Sequence, residues 1–308
     1  MKQTTNHILL VKPLCFQFNV QTKETNAFQV QSVENKQELF ENAIHEFEHV
    51  AEILQQKGVS VNVIDDTLHP EKPDAIFPNN WVSFHERGEV ILYPMMAENR
   101  RLEKRIDILE KLKQSYQISK IIDLSYFEEE NKFLEGTGSI ILDRKYQKAY
   151  ACLSPRTNKD VLYKFCETIK YLPIFFYALD ENKKEIYHTN VMMCLGIHFA
   201  VVCLSSIHDE QDKKNLIYEL KKSGREIIDI DIHQVKNFAG NMIELIDGEG
   251  NPIIVLSQTA MKSLHVQQIS SLQKHGQLVP VNVNTIEMVG GGSIRCMIAE
   301  IFLPLKHV

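Results

Sequence analysis

Short apolar runs, each opened by a small or polar residue, recur along this chain. They read Trp81-Val82-Ser83-Phe84 after Asn80, Ser139-Ile140-Ile141-Leu142 after Gly138, Val191-Met192-Met193-Cys194 after Asn190, Met242-Ile243-Glu244-Leu245 after Asn241, and Ile294-Arg295-Cys296-Met297 after Ser293. Subtracting the opening positions gives steps of 58, 52, 51 and 52 residues. Runs of this length between turn residues predict strands, and so regular a spacing predicts a repeated unit. Each run leads through a polar turn, such as Glu86-Arg87-Gly88 or Asp247-Gly248-Glu249-Gly250, into a second apolar run such as 90–93 or 199–202. Apolar residues three and four apart then predict helices over 98–115, 157–171, 209–223 and 258–275, followed by short strands at 118–122, 174–177, 226–230 and 277–281. The fifth copy stops after its first strand, and the amino-terminal segment carries what it lacks: a strand at 7–11, a helix over 35–57 and a strand at 59–64. First and last segments sharing one unit is how a ring closes. The pattern therefore predicts an α/β propeller of five ββαβ units in one domain over residues 1–308, with an open α/β sheet as the competing architecture.

A closed ring brings the connectors that lead into each first strand to its axis. Those connectors are chemically unusual: Pro73-Asp74-Ala75-Ile76-Phe77-Pro78-Asn79-Asn80, Phe133-Leu134-Glu135-Gly136-Thr137-Gly138, Ile186-Tyr187-His188-Thr189-Asn190, Asn237-Phe238-Ala239-Gly240-Asn241, and Gly290-Gly291-Gly292-Ser293-Ile294-Arg295-Cys296. Taken singly, Glu135 reads as a turn cap, His188 as a hydrogen-bonded core histidine, Cys296 as one more buried thiol, and Asn79, Asn80, Asn190 and Asn241 as residues tying down turns. Taken together on converging connectors, Cys296, His188 and Glu135 form the nucleophile, base and orienter that thiol catalysis requires. The three glycines leave room beside Cys296, which is expected at the start of a strand running through 297–302 and facing that room.

Composition excludes several other readings. Of 308 residues, 44% are apolar and 24% charged, enough for a full core. Lys and Arg total 34 against 40 Asp and Glu, with no basic block to track a phosphate backbone, so nucleic acid is not an expected partner. The apolar run within residues 1–18 is broken by Lys12 and Pro13, and the stretch 191–204 contains Gly196 and His198 and is too short to span a bilayer. Six scattered cysteines without a Cys-x-x-Cys pair suggest a reducing compartment, and the expectation is a cytoplasmic protein. The 12 histidines form no close ligand set for a metal.

Phe77-Pro78-Asn79-Asn80, Leu134-Glu135-Gly136-Thr137-Gly138, His188-Thr189-Asn190 and the glycine-rich approach to Cys296 resemble the ordered motifs of the guanidine-modifying superfamily. That group includes arginine deiminases, dimethylarginine hydrolases and amidinotransferases. The resemblance spans nearly the whole chain and implies a pentein fold, a covalent cysteine mechanism, no metal or organic cofactor, and a small ureido or guanidino amino acid as substrate. Arg100-Arg101 and Leu153-Ser154-Pro155-Arg156-Thr157-Asn158 are similar to segments of dimethylarginine hydrolases whose arginines hold the substrate α-carboxylate. By that likeness Arg156 and one of Arg100 or Arg101 bind carboxylate, where a guanidinium fork suits two oxygens; a solvent-facing pair at a helix start is the other reading of Arg100 and Arg101.

Relatives that bind a guanidinium cation usually carry aspartates at the places of Asn80 and Asn190, because a buried cation needs anionic partners. Here both are neutral amides, each offering one acceptor and two donors, which suits an uncharged ureido group. Citrulline is therefore the expected substrate, in keeping with a resemblance to the citrulline-using hydrolases, while Asp74 keeps arginine in view. An amidinotransferase and a non-catalytic ring that binds a ligand or protein stay as alternatives, and no motif fixes whether the chain forms a homo-oligomer.

Overall fold

The chain forms five three-stranded sheets, read from a computed structural model that describes residues 1–31 and 35–306. Strand β1 (His7–Lys12) pairs in parallel with β2 (Ser60–Asp65) across the helix Lys36–Gln56. That helix buries Leu39, Ala43, Phe47, Val50 and Leu54, the three- and four-residue spacing of a single apolar face. The Asn35 side chain caps its first turn by accepting from the Gln37 N–H at 3.0 Å. The next sheets are β3 (Val82–Phe84), β4 (Glu89–Leu92) and β5 (Lys120–Asp123), then β6 (Ile141–Asp143), β7 (Lys148–Cys152) and β8 (Leu172–Phe176). They are followed by β9 (Met193–Leu195), β10 (Phe199–Val202) and β11 (Glu226–Asp229), and by β12 (Ile243–Ile246), β13 (Pro252–Ser257) and β14 (Gln277–Val281). Within each of these four, the central strand runs antiparallel to the first and parallel to the third, as with Ser83 opposite Ile91 and Val90 opposite Ile121. The parallel pair needs a crossover, which the helices supply. A last strand, β15 (Ala299–Glu300), pairs antiparallel with β1 through Ile8 and Glu300, so the first and last segments share a sheet.

The central strands are apolar along most of their length because both of their faces are covered; Phe199, Ala200, Val201 and Val202 have no exposure at all. The connectors interlock in turn. Thr137 Oγ1 donates to the Asn79 carbonyl (3.3 Å), Thr189 Oγ1 to the Ser139 carbonyl (2.6 Å) and Asn241 Nδ2 to the Asn190 carbonyl (2.9 Å). The Arg295 N–H then donates to Asn241 Oδ1 (3.0 Å), and Gly292 lies so close to the Phe77 ring that a Cβ there would sit 3.0 Å from it. The fifth connector thus meets the first.

Three expectations change in detail. The connectors at Gly136–Ser139, Thr189–Met192 and Ile294–Met297 are single helical turns, and their strands start after them. Cys296 accordingly sits on a helical turn and not on a strand, its N–H donating back to the Ser293 carbonyl at 2.9 Å. A turn of this kind satisfies the buried backbone locally. The helices expected over 98–115 and 258–275 are each divided, into Glu98–Arg101 with Ile106–Leu112 and Gln258–Ser263 with Val266–Gln273. In the second case Leu264 and His265 are extended, and a His265–Gln268 capping box starts the next helix.

One ion pair joins two neighbouring sheets. Arg225 reaches Asp143 through two nitrogens at 2.7 and 3.1 Å, with neither side chain exposed, and its Nε donates to the Gly196 carbonyl at 3.0 Å. Removing one partner leaves a buried charge unpaired, which costs about 3–5 kcal/mol. Asp143→Ala is expected to lower the urea midpoint by that order of free energy, whereas the double replacement Asp143→Ala/Arg225→Met should recover much of the loss.

Candidate active site

Glu135, His188 and Cys296 each lie on a different connector, and all three are buried. His188 Nε2 is 2.8 Å from Glu135 Oε2. A carboxylate there accepts the Nε2–H, which leaves Nδ1 as the basic nitrogen of the ring. On that side stands Gly138, where a Cβ would fall 2.4 Å from Asn80 Nδ2 and 2.8 Å from His188 Nδ1. Glycine is required for so close an approach. Glu135 has no exposure, yet it is held well below the usual carboxylate range: the Arg156 guanidinium (3.5 Å) leads, followed by His188 and the Arg100 guanidinium (3.8 Å), and together they outweigh its desolvation. Its Oε1 also accepts the Met96 N–H at 3.0 Å.

Burial dominates the other two groups. It brings the His188 imidazole down to about 4, with Glu135 pulling in the opposite direction. It also pushes the Cys296 thiol up, against a backbone hydrogen bond from Ser293 and the side-chain amides of Asn241 and Asn190. Those amides donate to the sulfur from 3.2 Å (Asn241 Nδ2) and 3.3 Å (Asn190 Nδ2). At neutral pH the resting pair is thus imidazole and thiol.

The remaining expected residues divide. Asp74, Asn80, Arg100 and Arg156 line the same pocket as His188 and Cys296, together with Phe77, Tyr187 and the Gly290–Gly292 backbone. Arg100 forks onto Glu103 with both contacts at 2.9 Å, donates to Asn80 Oδ1 at 2.8 Å and stands 3.6 Å from Asp74. Arg156 lies over the Tyr187 ring at 4.9 Å and donates to Thr25 Oγ1. Arg101 is outside the pocket: it is partly exposed and spends its guanidinium on the Met95 and Met96 carbonyls. Its place one residue along a helical turn from Arg100 points it the other way. Asn79 is fully buried next to the pocket lining, and neither of its amide atoms has a partner; Asn80 Nδ2, Asn190 Oδ1 and Asp74 Oδ1 are likewise unpaired. Such atoms in a buried site are open to a polar ligand.

Sequence reasoning passed over four contributors. Asn241 was read as a turn residue, although its place in the repeat beside Asn80 and Asn190 is the signal that finds it. Glu103, three residues beyond Arg100, locks that guanidinium. Tyr187 donates to the Gly291 carbonyl at 2.7 Å and backs Arg156. The loop between β1 and the first helix crosses the pocket mouth: Asn19 Nδ2 donates to Asp74 Oδ2 at 2.7 Å, and Asn26 Nδ2 to the Gly290 and Gly291 carbonyls at 3.3 and 3.4 Å. No periodicity in that loop marks it as functional. Among the described residues no cluster of three or more His, Cys, Asp or Glu is placed to hold a metal, and no helix is long and apolar enough to cross a membrane.

The family match places this α/β chain, with the thiol, imidazole and carboxylate on its connectors, in the guanidine-modifying pentein superfamily. Within it, the chain belongs to the family described as N,N dimethylarginine dimethylhydrolase, eukaryotic, which matches residues 12–303. Among solved structures, the N-terminal domain of ArgZ, an arginine dihydrolase from the ornithine-ammonia cycle in Cyanobacteria, superposes with a TM-score of 0.75 at 15% identity over 97% of this chain and 98% of that one. Unliganded AgrE gives 0.73 at 17% identity over 98% of this chain and 40% of its own length. A dimethylarginine dimethylaminohydrolase variant, as an adduct with S-methyl-L-thiocitrulline, gives 0.65 at 16% identity over 97% and 100%. At these identities the likeness is one of fold. A comparison with curated proteins returns no match.

The burial of His188 makes a direct prediction. Nitrogen-15 NMR of the labelled imidazoles should find His188 neutral, with the proton on Nε2, from pH 8 down to about pH 5, and protonating near the value of about 4 that burial imposes. A midpoint near the ordinary 6.5 would contradict the geometry described.

Proposed function

We propose that this chain is a hydrolase that cleaves the ureido group of citrulline, or of a closely related ureido amino acid, through a covalent intermediate on Cys296. The observation that carries the reading is the neutrality of the groups around the sulfur. The side chains hydrogen-bonded to it are the amides of Asn190 and Asn241, and on the connectors the buried amide atoms without partners belong to Asn79, Asn80 and Asn190. A ureido group needs acceptors for its N–H bonds and a donor for its oxygen, and an amide supplies both. The five sheets are read as blades of one closed ring with this site on its axis.

In this mechanism the proton leaving the Cys296 thiol passes to His188, whose cationic form is supported by the Glu135 carboxylate at 2.8 Å. The thiolate attacks the ureido carbon. As the bond to the side-chain nitrogen breaks, His188 returns the proton to that nitrogen, since an alkylamine leaves only when protonated. Ornithine departs and an S-carbamoyl enzyme remains. His188, neutral again, draws a proton from water as the water attacks the carbamoyl carbon; the thiol is released with carbamate, which decomposes to carbon dioxide and ammonia. Arg156 and Arg100 are assigned to the substrate carboxylate, and Arg101 drops out of that role by its placement.

A second reading has its own support. Three carboxylates, Asp74, Glu103 and Glu135, face the two guanidiniums of Arg100 and Arg156; burial raises Asp74 and pushes Glu103 up to about 7, so the third carboxylate is one that an entering cation would ionise. Asp74 Oδ1 also has no partner, and ArgZ is named an arginine dihydrolase. On this reading arginine enters, loses ammonia, and is carried on through citrulline to ornithine at the same thiol.

Product analysis separates the two. Purified protein incubated with citrulline should release ornithine and ammonia, and Cys296→Ala should abolish this. Ornithine from both arginine and citrulline would favour the second reading. Citrulline accumulating from arginine, or dimethylamine released from dimethylarginine, with citrulline itself untouched, would overturn the ureido assignment.

A further inference from the structure

Two asparagine amides touch the Cys296 sulfur, but they are not equivalent. Every hydrogen-bonding atom of the Asn241 amide is committed within the protein. Its Oδ1 accepts the Arg295 N–H (3.0 Å), and Nδ2 directs one hydrogen to the Asn190 carbonyl (2.9 Å) and the other to Cys296 Sγ (3.2 Å). Flipping the amide would set oxygen against the Asn190 carbonyl and an NH₂ group against the Arg295 N–H, so the donor facing sulfur is fixed by chemistry and not by choice of orientation. Asn190 differs, because its Nδ2 also faces the sulfur at 3.3 Å while its Oδ1 has no partner. It is free to turn toward a bound ligand. Among the side chains recorded in contact with the sulfur there is no cation.

We propose that Asn241 is a catalytic residue whose side-chain N–H stabilises the Cys296 thiolate as it forms and fixes its aim, while Asn190 divides its amide between sulfur and substrate. A thiolate accepts a hydrogen bond far more strongly than a thiol does, so a fixed donor stabilises the ionised form selectively. The amide adds to the smaller pull of the Arg295 guanidinium on the same sulfur. It also leaves the pocket neutral next to the sulfur. Burial raises the Cys296 thiol, and the Asn241 and Asn190 amides both act against that rise. This inference rests on Cys296 being the nucleophile, and it adds a residue to that site.

The test is the pH dependence of alkylation of Cys296 by iodoacetamide in the full chain, followed by mass spectrometry of the peptide that carries it. The thiol proton leaves to solvent, the S–C bond forms and iodide departs, so the rate reports the thiolate fraction without any turnover. Asn241→Asp keeps an acceptor for the Arg295 N–H but replaces the donor with an anion; the alkylation rate at pH 8 should fall at least about ten-fold, with the midpoint moved to higher pH. Asn241→Ser, which shortens the side chain without adding charge, should move the profile in the same direction by a smaller amount, and it serves in place of Asn241→Asp if that variant does not fold. In turnover either variant should lose kcat by about 10²–10³-fold with little change in KM. An unchanged alkylation profile in a folded variant would overturn the proposal. A shifted profile in a protein that turns over neither citrulline nor arginine would sustain it while refuting the substrate reading.

Discussion

Everything at the centre of this molecule depends on a carboxylate kept charged where water does not reach it. Glu135 has no exposed surface, yet it stays ionised because Arg156, Arg100, the His188 ring and the Met96 N–H surround it. An isolated charge in such a place would neutralise itself by taking up a proton. The surrounding cations come from separate stretches of chain, so the charge can exist only once the connectors have been brought together. Folding and assembly of the site are therefore one event. The same carboxylate fixes the tautomer of His188, and through it the nitrogen that is free to move protons.

The connectors reconcile this polar centre with a buried backbone. Four make a tight helical or 3₁₀ turn and the fourth in chain order a turn through Phe238 in the left-handed region, and each is joined to the next by a hydrogen bond or by contact of Gly292 with Phe77. Small residues recur there because the chains approach too closely for side chains, most clearly at Gly138 between Asn80 and His188. The apolar strands behind carry the stability, which leaves the axial positions free for groups that would be costly elsewhere. Polar atoms without partners, on Asn79, Asn80, Asn190 and Asp74, mark where that freedom is kept for a ligand.

Much of this was legible in the sequence because the repeat carries its own coordinate. Once the units are aligned, Glu135, His188 and Cys296 fall on equivalent connectors, within three residues of the openers Gly138, Asn190 and Ser293, and the sharing of one sheet by the two ends of the chain follows from what the fifth copy lacks. The helical turn under Cys296 was not legible, since an apolar run of four residues reads as strand whenever its tertiary role is unknown. Arg100 and Arg101 look alike in sequence; a rotation of one residue on a helical turn, together with the lock from Glu103, separates the pocket residue from the surface one. Asn241 was visible in the repeat yet read as turn chemistry, because three committed hydrogen bonds cannot be seen from one residue type. The loop over the pocket mouth carries no pattern, and the contacts that tie it to the pocket are long-range.

The central claim is that Cys296 forms a covalent bond to the carbon of the substrate's terminal group. Acid quenching of the enzyme during turnover of citrulline, followed by peptide mass spectrometry, tests it most directly. The account predicts a carbamoyl group on Cys296 alone, appearing with substrate and disappearing as substrate is exhausted. Steady release of ornithine with Cys296 never modified, or with the group on another of the six cysteines, would contradict it.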